Sequence, residues 1–497
     1  MDLNRPPFWR NLLDILGLLA LFVSWRVGDG GGFLLIAGAA WVSACEAGWR
    51  FFRDRSAGPY PWLLLSPFLL WHYSSLLDFR IRLACFVMLI YILILAQRRE
   101  KSRIRLSLNQ AGPWRIWILA FLVFASTAGI FHVRGIHLSG DEPHYLMITQ
   151  SLIEDGDFDL RNNLHDKTYL TYLPVELPFH GTVHAGKYRS FHLPGVSLLM
   201  VPFFYLFHLL GAAVPASLYF RLCAALLNAF FALGLFSILK RLWPDQDNSV
   251  LFLFFLTTFP LVFQAVHLYP ELPAATLLIF AYLCVHSHQH KSSDPAGGGS
   301  DLSVPKGKKL FLGGLLLAAI PWLHFKYLFP LLVLILFVGA GIWRDRVRLR
   351  DRLRSLAFFL LPQVAGAALL SLYSKWLYGS FNPAIISPEK NFSAIPLGNQ
   401  VETLLSFFLD QRDGLLVYAP VFLLLLLVFK KEIRRSVRDF SLLKAMFLSY
   451  ILLHAYTTVR GGYSPASRPT VFVLWIMVVF VIAFYRQAEE FGKTLFR

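Results

Sequence analysis

Residues 217–239 read SLYFRLCAALLNAFFALGLFSIL, and Lys240-Arg241 follow at once. Wound as a helix at 1.5 Å per residue, that apolar run matches the hydrocarbon core of a bilayer, roughly 30 Å thick. The two cations mark the point where the chain leaves the lipid. Outward from this stretch the same pattern repeats. Apolar runs lie at 114–131, 250–267, 271–288, 309–324, 326–343, 355–377, 414–429, 440–458 and 470–486, with earlier ones at 11–25, 32–48, 60–76 and 81–97. Of the 497 residues, 56% are hydrophobic, 16% aromatic and only 15% charged. A soluble protein averages about 25% charged residues, so this chain lacks the polar surface to face water all round. The expected fold class is an all-α polytopic integral membrane protein with about 14 transmembrane helices. The pattern excludes a soluble enzyme, a disordered chain and a β-barrel.

The formal net charge is +17. Its basic residues sit in short loops: Arg50/Arg53/Arg55, Arg98 to Arg105, Lys240/Arg241, Lys306 to Lys309, Arg344 to Arg354 and Lys430 to Arg438. That is the positive-inside pattern rather than a nucleic-acid footprint, so no nucleic-acid partner is expected. With every cluster in the cytoplasm, both termini are inside and the long segment 132–216 is outside. Arg10 through Trp25 reads as a retained first helix rather than a cleaved signal. Gly195 to Leu210 is apolar enough to cross, yet crossing would turn every later basic cluster outward. It is therefore read as a helix lying in the outer interface against the bundle, with a full span as the alternative. Cys45, Cys85, Cys223 and Cys284 all lie in or beside apolar runs, which suggests neither a disulfide framework nor a zinc site. Ser292 to Lys309 reads as a flexible linker, and no internal repeat supports an inverted-repeat transporter. The chain divides on this reading into extra N-terminal helices (1–113), a core with the outer loop 132–216 (114–377) and C-terminal helices with outer loops (378–497).

The placement of ionisable groups bears on function. Transporters carry them at mid-span. Here Asp14 and Glu46 are near span ends or in the weak first spans, whereas the outer segment from His137 to Pro194 is rich in acids, cations and histidines. The densest motif is Ser139-Gly-Asp-Glu-Pro-His-Tyr145. Pro143 suits the first turn of a helix that runs to about Glu154 and stops at Asp155-Gly156. Asp141 and Glu142 then sit at its N-terminus, where the helix dipole favours ionised carboxylates. Such a carboxylate at a membrane boundary is suited to take a proton from an attacking hydroxyl or amine; an ordinary cap on a loop helix fits the same residues. In Gly186-Lys-Tyr-Arg-Ser-Phe-His-Leu-Pro-Gly195, the cations Lys187 and Arg189 and the imidazole of His192 suit an anionic headgroup, or simple snorkelling and a turn. Further outer groups fall at span ends: His267 to Glu271, His324 to Lys326, Lys375, Asp410 to Asp413, and Arg460 to Arg468.

These pieces, in this order, resemble class C (GT-C) glycosyltransferases, polytopic enzymes that use polyprenyl-phosphate sugars. The group includes protein O-mannosyltransferases, the lipid A aminoarabinose transferase and galacturonosyltransferases. The resemblance covers roughly Ala120 to Phe484 and rests on Asp141-Glu142-Pro-His-Tyr145, Asp155-Gly-Asp157, His192-Leu-Pro-Gly195, Tyr269-Pro-Glu271, Tyr378 to Pro383 and Gly461 to Arg468. Two departures stand out: four spans precede the acidic loop, and Leu193 occupies a position where Pro is common. The resemblance implies a GT-C-like fold with juxtamembrane helices in the outer loop. It implies an enzyme of the bacterial cytoplasmic membrane, its active site facing outside. Such an enzyme moves a sugar from a polyprenyl-phosphate donor to an envelope glycan, lipid or protein acceptor, by direct displacement with inversion; membrane lipids are its other partners. On this resemblance Asp141 is the base, with Glu142 orienting the acceptor or supporting the helix start. His192, with Lys187 and Arg189 nearby, meets the donor phosphate; Asp157, Tyr269, Glu271, Lys326, Arg460 and Arg468 complete the binding set. No cofactor is fixed by the sequence. Metal use varies across these enzymes, and His192, His267 and Glu271 are the groups that could approach one another around a divalent ion. A transporter or flippase of lipid-linked sugars is the alternative.

Overall fold

The computed structural model describes residues 108–210, 214–285, 307–344, 347–386, 397–427, 436–437, 439–457 and 465–495. The four spans expected before residue 100, Arg460 and most of the 292–309 linker lie outside them. Contacts group residues 106–488 into one compact unit.

Helix α1 (Pro113–Val133) begins with a proline, whose missing N–H loses no bond in a first turn. After it come α2 (Glu142–Glu154), a hairpin of β1 (Gly181–His184) and β2 (Lys187–Ser190), and α3 (Gly195–Leu210). The bundle continues with α4 (Ala216–Leu242), α5 (Ser249–Thr257), α6 (Glu271–Val285), α7 (Gly307–Leu323), α8 (Leu328–Arg344) and α9 (Leu349–Tyr378). It closes with α10 (Leu397–Leu409), α11 (Phe440–Thr457) and α12 (Leu474–Leu495). Among the described residues, five stretches are long and apolar enough to cross a membrane: Pro113–Val133, Ala216–Leu242, Phe325–Arg344, Leu349–Tyr378 and Arg468–Gln487. The surface agrees. Leu336 on α8 and Leu361, Val364, Leu369, Leu372 and Trp376 on α9 are all exposed. Facing water, such a surface would drive association; facing acyl chains it needs no cover. Where helices meet, small residues let backbones approach. A side chain on Gly314 of α7 would collide with the Phe359 carbonyl of α9. The described chain is thus an all-α membrane protein carrying one small hairpin.

The helices run between two polar ends. At one end, Lys240 donates to the Asn109 carbonyl (2.8 Å), and Arg486 donates to the Asn248 side chain (2.7 Å) and the Asp247 carbonyl (3.2 Å). These contacts join the start of α1, the end of α4 and α12. The opposite end gathers the exit of α1, the starts of α4, α6 and α8, and Arg468 ahead of α12. The segment between α1 and α4 packs there in an apolar cluster that joins its Leu146, Met147, Tyr172 and Phe204 to Phe220 and Ala224 of α4.

Several expectations need correction. The run 250–267 is not one helix: α5 stops at Thr257 and a single turn, Leu261–Gln264, follows. Pro260 has no N–H to give and disfavours helix in the residue before it. Likewise 414–429 breaks at Pro420 into Leu415–Tyr418 and a 3₁₀ stretch, Pro420–Leu427. Residues 397–409, expected as outer loop, form α10. The hairpin at 181–190 was not expected in an all-α chain. Its turn residues Ala185 and Gly186 both have positive φ (49° and 71°), the backbone twist that joins two short antiparallel strands. Helix α3 has 16 residues, about 24 Å at 1.5 Å per residue, short of the ~30 Å core. Val196, Met200 and Phe204 are buried, while Tyr205, Leu206 and Leu209 are exposed.

Candidate functional site

The helix read from Pro143 is present and spans Glu142–Glu154, with Asp141 as its N-cap residue. The two adjacent carboxylates end in different surroundings. Glu142 turns inward. Its carboxylate accepts from the backbone N–H of Ser139 (3.0 Å) and of Leu268 (3.0 Å) and lies 3.1 Å from His267 Nδ1. Arg221 Nη1 is 3.7 Å away, and both side chains of this pair are 0% exposed. Arg221 also donates to the carbonyls of His137 (2.7 Å) and Val266 (3.2 Å) and lies over the Phe131 ring. Burial pushes the Glu142 carboxyl up, but His267 and Arg221 outweigh it and hold the group below the usual carboxylate range. Glu142 therefore ties the start of α2 to α4 and to the loop before α6. Of its two expected roles, the geometry gives it the support of the helix start.

Asp141 turns the other way. Its side chain makes no capping bond to α2; Oδ2 instead accepts from Arg468 Nη2 at 2.8 Å. Arg468 reaches on through Nε to Glu271 Oε1 (2.8 Å), and the same oxygen accepts from Lys326 Nζ (2.6 Å). The guanidinium lies 3.8 Å above the Tyr269 ring, whose hydroxyl donates to the Ser139 carbonyl (3.1 Å). Two carboxylates and two cations from four distant parts of the chain thus meet in one cluster, with Tyr269 under Arg468 and Tyr327 under Lys326. Glu271 is 1% exposed and Lys326 11%, but Asp141 keeps 29% and Arg468 16%. Burial pushes the Asp141 carboxyl up; Arg468, then His192, then Lys326 hold it well below the usual range. An ionised carboxylate with an open edge beside two cations can hold an anion near a hydroxyl and take that hydroxyl's proton.

The structure brings together Asp141, Tyr269, Glu271, Lys326 and Arg468 from the expected set. Other members fall elsewhere. Asp157 serves a turn: its Oδ1 accepts from the Asp159 N–H (2.7 Å) and the Ser151 hydroxyl (3.2 Å). Lys187 is exposed at the hairpin turn, and Arg189 is buried on the same strand. His192 does not join His267 and Glu271, which are engaged with Glu142 and with the two cations. It groups instead with His144 and His180. Sequence reasoning missed Arg221, His144 and His180 as site residues. The signal for Arg221 was available, because an arginine near the start of a long apolar run must find a partner. His144 and His180 gave none, since their meeting needs the unexpected hairpin to set His180 beside His192 and against the start of α2. No protein-family model, curated protein or solved structure matches the chain.

Proposed function

We propose that this chain is a polyprenyl-phosphate-sugar-dependent glycosyltransferase of the bacterial cytoplasmic membrane. It has about 14 spans, both termini inside and its site on the outer face. The orientation follows from charge: the Asp141 cluster lies at the end of the bundle opposite Lys240, Lys308 and Arg348, which the positive-inside rule assigns to the cytoplasm. The observation that supports the reading is the Asp141–Arg468–Glu271–Lys326 cluster, partly open and seated where apolar helices end. In the reaction, the acceptor hydroxyl gives its proton to Asp141 as its oxygen bonds the anomeric carbon. The bond from that carbon to the donor phosphate oxygen breaks from the opposite side, and the lipid phosphate leaves as an anion facing Arg468 and Lys326. One displacement inverts the anomeric centre. A flippase would need its ionisable groups along the path of the headgroup through the bilayer; the paired groups described above lie at helix ends instead.

The test uses the full chain in lipid nanodiscs and a photoreactive polyprenyl phosphate. Saturable labelling that plain polyprenyl phosphate competes away, and that Lys326→Met weakens at least tenfold in a folded protein, supports the reading. Labelling that is equal in wild type and Lys326→Met removes the phosphate from this cluster and the proposal with it.

A further inference from the structure

Outside the carboxylate cluster, three imidazoles converge. His144 is in the first turn of α2, His180 directly precedes β1 and His192 stands two residues beyond β2. The hairpin is responsible for bringing two of them together. Its register pairs Gly181 with Ser190, and the Phe191 N–H then donates to the His180 carbonyl at 3.1 Å. Helix α2 presents the third: the His144 ring stacks on His180 with centroids 4.2 Å apart and lies 5.3 Å from His192. One nitrogen from each ring lies within 4.8 Å of the other two. His144 is buried, and its Nδ1 has no hydrogen-bond partner. A buried, unpartnered imidazole nitrogen is a costly group, and a metal ion is one partner that satisfies it.

We infer that His144, His180 and His192 form a binding site for a divalent transition metal, Zn²⁺ foremost, with one coordination position open. The donor set selects the class of ion. Three neutral imidazoles suit Zn²⁺ and its neighbours, whereas Mg²⁺ and Ca²⁺ take oxygen ligands. Zn–N bonds of about 2.0–2.1 Å in a tetrahedron place the nitrogens about 3.3 Å apart, so side-chain rotations that draw them in by about 1.5 Å complete the site. Three protein ligands with a vacant fourth position is the arrangement of a zinc ion that meets water or an anionic oxygen, rather than of a closed structural site. The metal assignment rests on the three rings alone and stands whether or not the chain transfers sugars.

The test uses the full-length protein without a polyhistidine tag, stripped with chelator and returned to metal-free buffer. Zn²⁺ is titrated calorimetrically, and Co²⁺ is added separately to read the visible bands of a tetrahedral site. The expected result is one Zn²⁺ per chain with micromolar or tighter affinity, and a tetrahedral Co²⁺ spectrum. His180→Ala, at an exposed ring that a folded protein tolerates, should weaken binding at least tenfold, as should His192→Ala. His165→Ala, an exposed histidine elsewhere in the same loop, should change nothing. No stoichiometric binding in the wild type, or equal binding in wild type and a monodisperse His180→Ala, overturns the site.

Discussion

Glu142 and Asp141 are neighbours in sequence at the mouth of one helix, yet they belong to opposite kinds of charge cluster. The Glu142–Arg221–His267 group is closed: no water reaches the carboxylate or the guanidinium, and backbone donors occupy both carboxylate oxygens. The Asp141–Arg468–Glu271–Lys326 group is ion-paired but open on one side: Asp141 and Arg468 are its most exposed members, while Glu271 Oε2 is buried without a hydrogen-bond partner. Both clusters pin distant segments together at the same end of the bundle. Only the open one leaves an edge for chemistry. The difference teaches that neighbouring carboxylates on one helix start can be buried to different degrees, according to whether their partners leave an approachable face.

That contrast can be broken by mutation. The largest effect belongs to the closed cluster. Glu142→Ala leaves the Arg221 charge buried and unpaired, and should destabilise the protein by about 3–5 kcal/mol. In a detergent-solubilised thermal melt this is a loss of folded, monodisperse protein, with partial recovery in Glu142→Gln/Arg221→Met. A Glu142→Ala variant as stable as wild type would mean that the closed cluster is not structural. Glu271→Ala comes next. It strips Lys326 and Arg468 of their shared acceptor, but Asp141 and solvent remain for Arg468, so a cost of about 2–3 kcal/mol is expected in the same melt.

The smallest effect is the stability contribution of Asp141 itself. The Asp141–Arg468 pair is partly exposed and should be worth about 1 kcal/mol or less. Its pH dependence has a definite sign. Because the folded carboxyl titrates below the unfolded one, the contribution is fully present above the ordinary aspartate value of about 3.9 and fades as pH falls through the lower folded value. The melting-temperature gap between wild type and Asp141→Asn should therefore be constant from pH 8 to 5 and narrow only below about pH 4. A gap that closes between pH 7 and 5 would mean an Asp141 with a raised, not lowered, affinity for protons.

Much of this architecture was legible before the structure. Runs such as 114–131 and 217–239 are long, continuous and charge-bounded, and their helices appear within a few residues of the expected limits. Pro143 and Asp155-Gly156 gave both ends of α2 from local stereochemistry. The failures also have local causes. Continuous hydrophobicity hid the breaks at Pro260 and Pro420, because hydropathy scores side chains while the break is a backbone event. Asp141 could be nominated from its place at a helix start, and Tyr269, Glu271, Lys326 and Arg468 one by one, since each stands beside the end of an apolar run. Their mutual contacts span up to 327 positions in the chain, and no local pattern encodes such a meeting. Lys187 stands apart from the cluster at the exposed hairpin turn, because local composition does not say which cations the fold brings together.

The proposed division between a closed, structural carboxylate and an open, catalytic one is tested most directly at Asp141. Asp141→Asn keeps the size of the side chain and removes the proton acceptor. The measurement is single-turnover sugar transfer from a polyprenyl-phosphate donor by purified wild type and Asp141→Asn, each shown by thermal melt to be folded. The account predicts a rate about 10²–10⁴-fold lower for Asp141→Asn, with donor labelling retained and a melting temperature close to that of wild type. Transfer by the folded variant at the wild-type rate would contradict it.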